Sequence, residues 1–348
     1  MTKTKKQLEP NEHILETTVT PEEQSLLISL RAASWPEFAG QEHVKRTLHI
    51  AIAAAKKRKE PLEHILLYGP PGLGKTTLAH LIGKELGVNV RVTSGPAIER
   101  AGDVAAILSN LEPNDILFID EIHRLNKVVE ETLYPAMEDY ALDIVLGKGP
   151  AAKTLRLDLP PFTIIGATTR VGLLSSPMRD RFGVVTRLSF YEPNDIEEIL
   201  GRAAKKLHIE LDPIARRELA KRSRGTPRIA LRLLKRVRDV AQVEGNGTID
   251  MPILTHSLTL YEVDSIGLDN SDRRLLTLLI DKFSGGPVGI ETLAAALSED
   301  IGTVEDVLEP YLMQVGFLKR TPRGRAATAA AFTHLGIPPT KKQQEELF

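Results

Sequence analysis

Residues 64–87 read HILLYGPPGLGKTTLAHLIGKELG. HILLYG is a short apolar run that stops at a Gly/Pro loop, the signature of a buried strand. The loop Gly69-Pro70-Pro71-Gly72-Leu73-Gly74-Lys75-Thr76 satisfies G-x-x-x-x-G-K-[ST], and a helical pattern follows it. Glycines let successive backbone N–H groups close around phosphate oxygens, and the helix that follows adds its positive end. Lys75 is then placed to reach the β- and γ-phosphates of ATP and the Thr76 hydroxyl to ligate Mg²⁺. A glycine-rich turn matching by chance would lack the strand before it and the helix after it.

Two further buried strands are predicted at DILFID (115–120) and FTIIGATT (162–169), with helical patterns between them. Buried strands separated by helices imply a largely parallel sheet covered on both faces. Asp120 falls where its strand ends, the edge at which such a sheet presents groups to a ligand, so it can hold Mg²⁺ through water. Glu121 can act as general base on an attacking water. Thr168 or Thr169 can hydrogen-bond the γ-phosphate or the water, and a plain strand end fits as well. His123 is given no role. SSPMRDRFG (175–183) offers the Arg179 and Arg181 guanidinium groups for bidentate phosphate contact. In RGTPRIALRLLKRVRD (224–239), Arg228 opens an amphipathic helix whose apolar stripe is read as Ile229, Leu233, Val237 and Val240. An arginine in the first turn opposes the helix dipole, which suggests an anionic partner such as ATP.

With 348 residues, the chain is long enough for about two or three domains. Residues 1–20 are polar and without apolar period, as in a disordered tail. A helix is predicted over Gln41–Lys59 with Val44, Leu48, Ile52 and Ala55 on its buried stripe. ALDIVLGKGPAAKTLRLDLPPF (141–162) alternates apolar and polar residues around Gly147, Gly149 and Pro150 and reads as a β-hairpin standing off the sheet. Residues 193–260 read as helical throughout. The last block has an amphipathic helix, SDRRLLTLLIDKF, two short helical patterns and then LKRTPRGR. That motif gathers Lys319, Arg320, Arg323 and Arg325 with no acid between them, around a turn shaped by Pro322 and Gly324. Helices followed by a basic hairpin make a winged-helix pattern, whose cations would contact phosphates, carry little base information and bind in a salt-dependent way.

Charge is nearly balanced, 45 Lys and Arg against 46 Asp and Glu, so contact with nucleic acid must be local. There is no cysteine, which excludes disulfides, thiolate metal sites and Cys nucleophiles. No apolar run approaches the roughly 20 residues of a membrane span, and a cytoplasmic, membrane-free protein is expected.

These motifs resemble those of AAA+ ATPases: Walker A at 69–76, Walker B at 116–121, sensor 1 in GATT, an arginine finger at Arg181 and sensor 2 at Arg228. LYGPPGLGKTTLA, FIDEIHRL, LYPAMEDY followed by LDI, RDRFG, RGTPRIA and RTPRGR resemble more closely the RuvB family, over roughly residues 20–335. The resemblance implies an α/β P-loop AAA+ ATPase domain over 21–192 with a protruding hairpin near 142–159. An all-α lid over 193–265, a winged-helix DNA-binding domain over 266–335 and a C-terminal tail over 336–348 would follow. It implies a catalytic set of Lys75, Asp120, Glu121, Arg181 and Thr168, with Thr76 and Asp120 on Mg²⁺. ATP contacts would come from Arg31, Phe38, Ala39, the loop from Gly69 through Pro70, Pro71, Gly72, Leu73 and Gly74 to Lys75, Thr76 and Thr77, and from Arg181, Tyr191 and Arg228. It further implies a homohexameric ring on the duplex arms of Holliday junctions, with RuvA as partner through the hairpin and RuvC in a resolving complex. The activity implied is branch migration in DNA recombination, repair and the SOS response. The segment LRAASWPEFAGQ (30–41) departs from the family's usual LRP with Ala32. An ATPase that remodels a protein partner, or a loading or transcription factor nearer a switch than a motor, would share residues 69–228; RTPRGR argues against the first and the whole-length match against the second.

Overall fold

The computed structural model describes residues 21–146 and 153–338. The tail over 1–20, the hairpin tip carrying Gly147, Gly149 and Pro150, and residues 339–348 of the C-terminal tail lie outside the described residues. The chain divides into two compact bodies, Arg31–Tyr191 and the residues from Glu192 onward, and α1 (Pro21–Ser29) groups with the latter.

In the first body the order is α2 (Glu42–Arg58), β1 (Ile65–Tyr68), α3 (Lys75–Leu86), β2 (Val90–Ser94), α4 (Ala101–Leu108), β3 (Ile116–Asp120), α5 (Lys127–Asp139), β4 (Ala141–Leu146), β5 (Lys153–Asp158), β6 (Thr163–Thr168), α6 (Ser176–Arg179) and β7 (Val184–Arg187). Five strands make one parallel sheet in the order β2-β3-β6-β1-β7. The three central strands are those predicted. Ile65–Leu67, Ile116–Ile119 and all of β6 are buried, because both faces of a parallel sheet are covered and its strands read as unbroken apolar runs.

The edge strands β2 and β7 go unpredicted. β2 exposes Arg91 and Val92, and β7 exposes Val185 and Arg187, so neither carries a continuous apolar run. A charged residue on a short edge strand also discourages pairing with another chain. The predicted helix is α2, with Val44, Leu48, Ile52 and Ala55 buried. The predicted hairpin pairs β4 with β5 antiparallel as a sheet of its own. Its base sinks Leu142 into the core, while Leu155 and Leu157 stay exposed. His64 ties this body together: its Nε2–H donates to the Met137 carbonyl and its Nδ1 accepts from the Ile164 N–H. Burial lowers its pKa, in keeping with the neutral ring those two bonds require.

The second body continues with α7 (Pro193–Lys206), β8 (Glu210–Leu211), α8 (Pro213–Lys221), α9 (Pro227–Glu244), β9 (Thr248–Ile249) and α10 (Met251–Leu260). It is helical as read, except that β8 and β9 pair in parallel; two-residue strands are too short to leave a periodic signal. On α9 the buried face includes Ala230, Leu233, Leu234, Val237, Val240 and Ala241. Ile229, read as part of that stripe, is half-buried. It stands in the first turn of α9, where its neighbour Ala230 is the buried residue.

Next come α11 (Asn270–Phe283), α12 (Ile290–Leu297), α13 (Ile301–Thr303), a π-helical turn over Val304–Leu308, α14 (Glu309–Gln314), β10 (Leu318–Thr321), β11 (Gly324–Ala327) and α15 (Ala329–His334). Pro310 has no N–H for the Asp306 carbonyl, and a widened turn before it is a common way for a helix to absorb that loss. These elements close around their own core, which includes Leu275, Leu279, Leu293, Leu312, Leu318 and Phe332. The strands β10 and β11 form the wing. Among the described residues no helix is long and apolar enough to cross a membrane.

Candidate nucleotide site and nucleic-acid interface

The glycine-rich loop leaves β1 through Gly69, Gly72 and Gly74, all at positive φ (141°, 78° and 99°). A Cβ on Gly69 would stand 2.4 Å from the Leu188 carbonyl oxygen, so the loop is shaped by both backbone torsion and space. Lys75 opens α3 and is 8% exposed. Its Nζ donates to the carbonyls of Gly69 and Pro70 at 2.8 and 2.9 Å, which holds the ammonium inside the loop. Thr76 and Thr77 follow in the first turn of the same helix.

Thr168 joins the loop to the acidic turn. Its carbonyl accepts from the Gly69 N–H at 3.1 Å. Its hydroxyl accepts from the Arg170 N–H and shares a 2.9 Å hydrogen bond with His123 Nδ1. The register sets Tyr68 beside Thr168 and Ile119 beside Gly166, so the phosphate loop, Asp120 and Thr168 all lie at the carboxyl ends of adjacent strands. Glu121 has φ +48, unusual for a residue with a side chain and a frequent mark of functional sites. It pairs with Arg124 at 2.9 Å. His123, given no role from the sequence, is the link between this turn and Thr168.

Phe38 and Tyr191 are buried beside the loop, and Ala39, next to Phe38, is buried as well: a Cβ on Gly74 would lie 3.2 Å from the Phe38 ring, and the Tyr191 hydroxyl donates to the Leu73 carbonyl at 3.0 Å. Arg31 is half-buried near α3, where burial first and the Arg31 charge second lower the pKa of His80. Lys84 donates to the Ala33 carbonyl at 2.7 Å, so the segment carrying Ala32 runs along the helix that follows the phosphate loop.

Arg181 is already engaged within its own domain. Its guanidinium pairs with Glu138 at 2.9 Å, donates to the Pro177 carbonyl at 2.6 Å and lies 4.2 Å from the centre of the Tyr134 ring. Tyr134 and Glu138 both lie in LYPAMEDY, a motif that the sequence does not link to Arg181 because the two segments meet only in the fold. Arg228 is exposed in the first turn of α9.

The wing brings its four cations together, but not as equals. Arg325 is paired with Glu309 and, at 3.1 Å, with Glu305; Arg320 pairs with Glu309 at 2.5 Å. Glu309 is 1% exposed and the Arg325 side chain 11%. Arg325 therefore braces the wing from behind. Arg323, on the turn between β10 and β11, is exposed, and Lys319 is partly exposed on β10. The bracing carboxylates lie in the π-helical turn and α14, outside the basic motif.

A strand-end phosphate loop with an acidic turn beside it, followed by a helical lid and a winged helix, defines a P-loop ATPase of the AAA+ class with a nucleic-acid-binding domain. Family models match three consecutive parts of the chain: the Holliday junction DNA helicase RuvB P-loop domain over 30–188, the RuvB AAA lid domain over 191–264 and the RuvB C-terminal winged helix domain over 265–336. Among solved structures, the Thermotoga maritima RuvB Holliday junction branch migration motor is 51% identical, with a TM-score of 0.82, and the match covers 88% of this chain and 98% of that one. A point variant of Thermotoga maritima RuvB matches with a TM-score of 0.83 at 51% identity, over 89% of this chain and 99% of that one. The chain belongs to the RuvB family.

Proposed function

We propose that the chain is an ATP-driven DNA motor, acting in the cytoplasm as a homohexameric ring on the duplex arms of Holliday junctions and driving branch migration with RuvA, with RuvC joining in a resolving complex. The domains assigned to this work are 21–192, 193–265 and 266–335. The observation that carries the proposal is the meeting of the phosphate loop, Asp120 and Thr168 at one end of one sheet, in a chain of this family that also presents an exposed arginine on a wing. Hydrolysis without a DNA-binding wing would suit a protein-remodelling ATPase better.

In this reading the Lys75 ammonium turns from its two loop carbonyls to the β- and γ-phosphates, trading neutral partners for charged ones. Mg²⁺ is expected on Thr76 and Asp120. Among the described residues no group of three or more His, Asp or Glu side chains gathers to hold a metal, and a site of few hard oxygens completed by water and phosphate is what Mg²⁺ prefers. Bound there, it would neutralise phosphate charge. Glu121 takes the proton of the attacking water, and the hydrogen bond between Thr168 and His123 fixes the turn from which it acts. Phe38, Ala39 and Tyr191, with Arg31, form the side that receives the base. Arg228 reads the nucleotide from the lid. Arg181 leaves Glu138 for the γ-phosphate of a neighbouring subunit, an exchange of one anionic partner for another. Arg323 and Lys319 meet DNA phosphates, with Arg320 and Arg325 supporting the hairpin.

Mixing subunits tests the assignment. Arg181→Ala and Lys75→Ala chains, each inactive alone, are expected to regain ATP turnover when combined, because each supplies what the other lacks. A mixture no more active than its parts would refute a finger acting between subunits.

A further inference from the structure

Between α8 and α9 the chain runs Arg222-Ser223-Arg224-Gly225-Thr226, and both Arg224 (φ +54) and Gly225 (φ +58) are left-handed. Glycine adopts that conformation freely, whereas a residue with a long side chain is held there by its surroundings. The turn is pinned by the Thr226 N–H on the Ser223 carbonyl at 2.9 Å and by the Ser223 hydroxyl on the Leu219 carbonyl at 2.7 Å. It sends Arg224 out of the lid and into the start of the winged-helix domain.

The Arg224 side chain is 4% exposed there. Its guanidinium lies 2.6 Å from Asp272 and 3.3 Å from Asp269, the two residues whose side chains and N–H groups cap α11. Its Nε donates to the Gly267 carbonyl at 2.7 Å, and the group sits 5.1 Å from the centre of the Tyr311 ring on α14. One lid side chain thus touches the interdomain link, the first turn of α11 and α14. Further contacts flank it. Arg222 donates to the Asp264 carbonyl at 2.5 Å, and His334 on α15 meets the Asp264 carboxylate at 2.7 Å. A Cβ on Gly267 would lie 2.3 Å from the Arg222 carbonyl oxygen.

Neither the nucleotide chemistry nor DNA binding makes use of Arg224. Links between domains are ordinarily exposed and polar and let the domains move independently. Here the link is closed over a buried arginine, ion-paired with two aspartates and aimed by its Nε–H bond to the Gly267 carbonyl, an arrangement that is costly to break by removing one partner. Arg228, in the first turn of α9, follows Arg224 by four residues.

We propose that Arg224 is a positioning residue of the motor: it locks the lid to the winged helix, so that a displacement of α9 is delivered to the DNA-binding wing instead of being absorbed at the link. The proposal rests on the reading of the chain as an ATP-driven DNA motor.

Two variants loosen the lock gently. Arg224→Lys keeps the charge and loses the fork; Asp272→Asn keeps the shape and replaces one carboxyl oxygen facing Arg224 and the Asp269 N–H with an amide NH2. Each, as full-length protein with RuvA, is compared with wild type for ATP turnover on duplex DNA and for separation of a synthetic four-way junction. Turnover is expected to stay within about twofold while junction separation per ATP falls about tenfold or more, the mark of a lost lever and not of a damaged active site. Equal losses in both activities, or no loss in either, would overturn the proposal. If wild type hydrolyses ATP and leaves junctions intact, the motor reading itself fails. A distance measurement then still tests the lock. The chain has no cysteine, so spin labels at Val243→Cys on the lid and Glu291→Cys on α12 report on this joint alone. One narrow distance, the same with ADP and with a non-hydrolysable ATP analogue, is expected in the otherwise wild-type chain, and a broadened one in Arg224→Lys. A distance that changes with nucleotide in the wild-type background, or one that stays narrow in the variant, would contradict the lock whatever the fate of the motor reading.

Discussion

Lys75, at the end of the loop that leaves β1, and Thr168, at the end of the adjacent strand β6, carry different loads. Lys75→Ala removes the cation that neutralises the phosphates, and ATP turnover is expected to fall by at least about a hundredfold, as with loss of other preorganised charges at phosphoryl-transfer sites; phosphate release at saturating ATP measures it. Thr168→Val is nearly isosteric but strips a hydroxyl that meets both the Arg170 N–H and His123. It should cost about 1–3 kcal/mol of stability and slow turnover as well, because the turn bearing Glu121 loses its tie. Unchanged turnover in a destabilised protein would mean that this hydroxyl has only a structural task. Lys75, Asp120 and the loop glycines were legible in the sequence because the spacing is the chemistry. The His123 bond was not, since it joins residues 45 apart that meet only once β3 and β6 lie side by side.

At the scale of elements, the wing separates charges that look alike in sequence. Arg323→Ala should weaken duplex binding equally for unrelated sequences and reduce the slope of log affinity against log salt by about one. Arg325→Ala should act through folding, leaving Glu309 buried with less charge against it at a cost of about 3–5 kcal/mol. Replacing both partners, Arg325→Met with Glu309→Gln, should recover much of that loss in a thermal melt; no recovery would mean that the pair does not brace the hairpin. The basic turn was readable because a cluster of cations without acids is a local pattern. Its bracing was not, because Glu305 and Glu309 lie 20 and 16 residues away from Arg325. The edge strands β2 and β7 escaped for a related reason: half-exposed strands lack the apolar continuity that revealed the three central ones.

For the whole molecule, the joint between lid and winged helix leaves a trace in pH. Burial first, and the neighbouring Asp269 charge, raise Asp272 from an ordinary value near 3.8 to about 8, against the pull of Arg224. Burial likewise pushes the Tyr311 hydroxyl up to about 12. The folded state therefore keeps a proton on Asp272 that the unfolded chain gives up. Its contribution to stability is fully present below the ordinary value of 3.8 and is lost progressively as pH rises from there through about 8; the linkage requires that sign. This group should make the melting temperature fall between about pH 5 and about pH 8 and add no further fall above that, and Asp272→Asn should flatten that part of the curve. An equal slope in the variant would assign it to other groups.

ATP hydrolysed at this strand-end site moves branched DNA. The direct measurement is the rate at which a synthetic four-way junction is resolved into two duplexes by the full chain with RuvA, in the presence and absence of ATP and Mg²⁺. Separation is expected to require both ATP and an intact Lys75. ATP consumption alongside junctions that stay whole would contradict it.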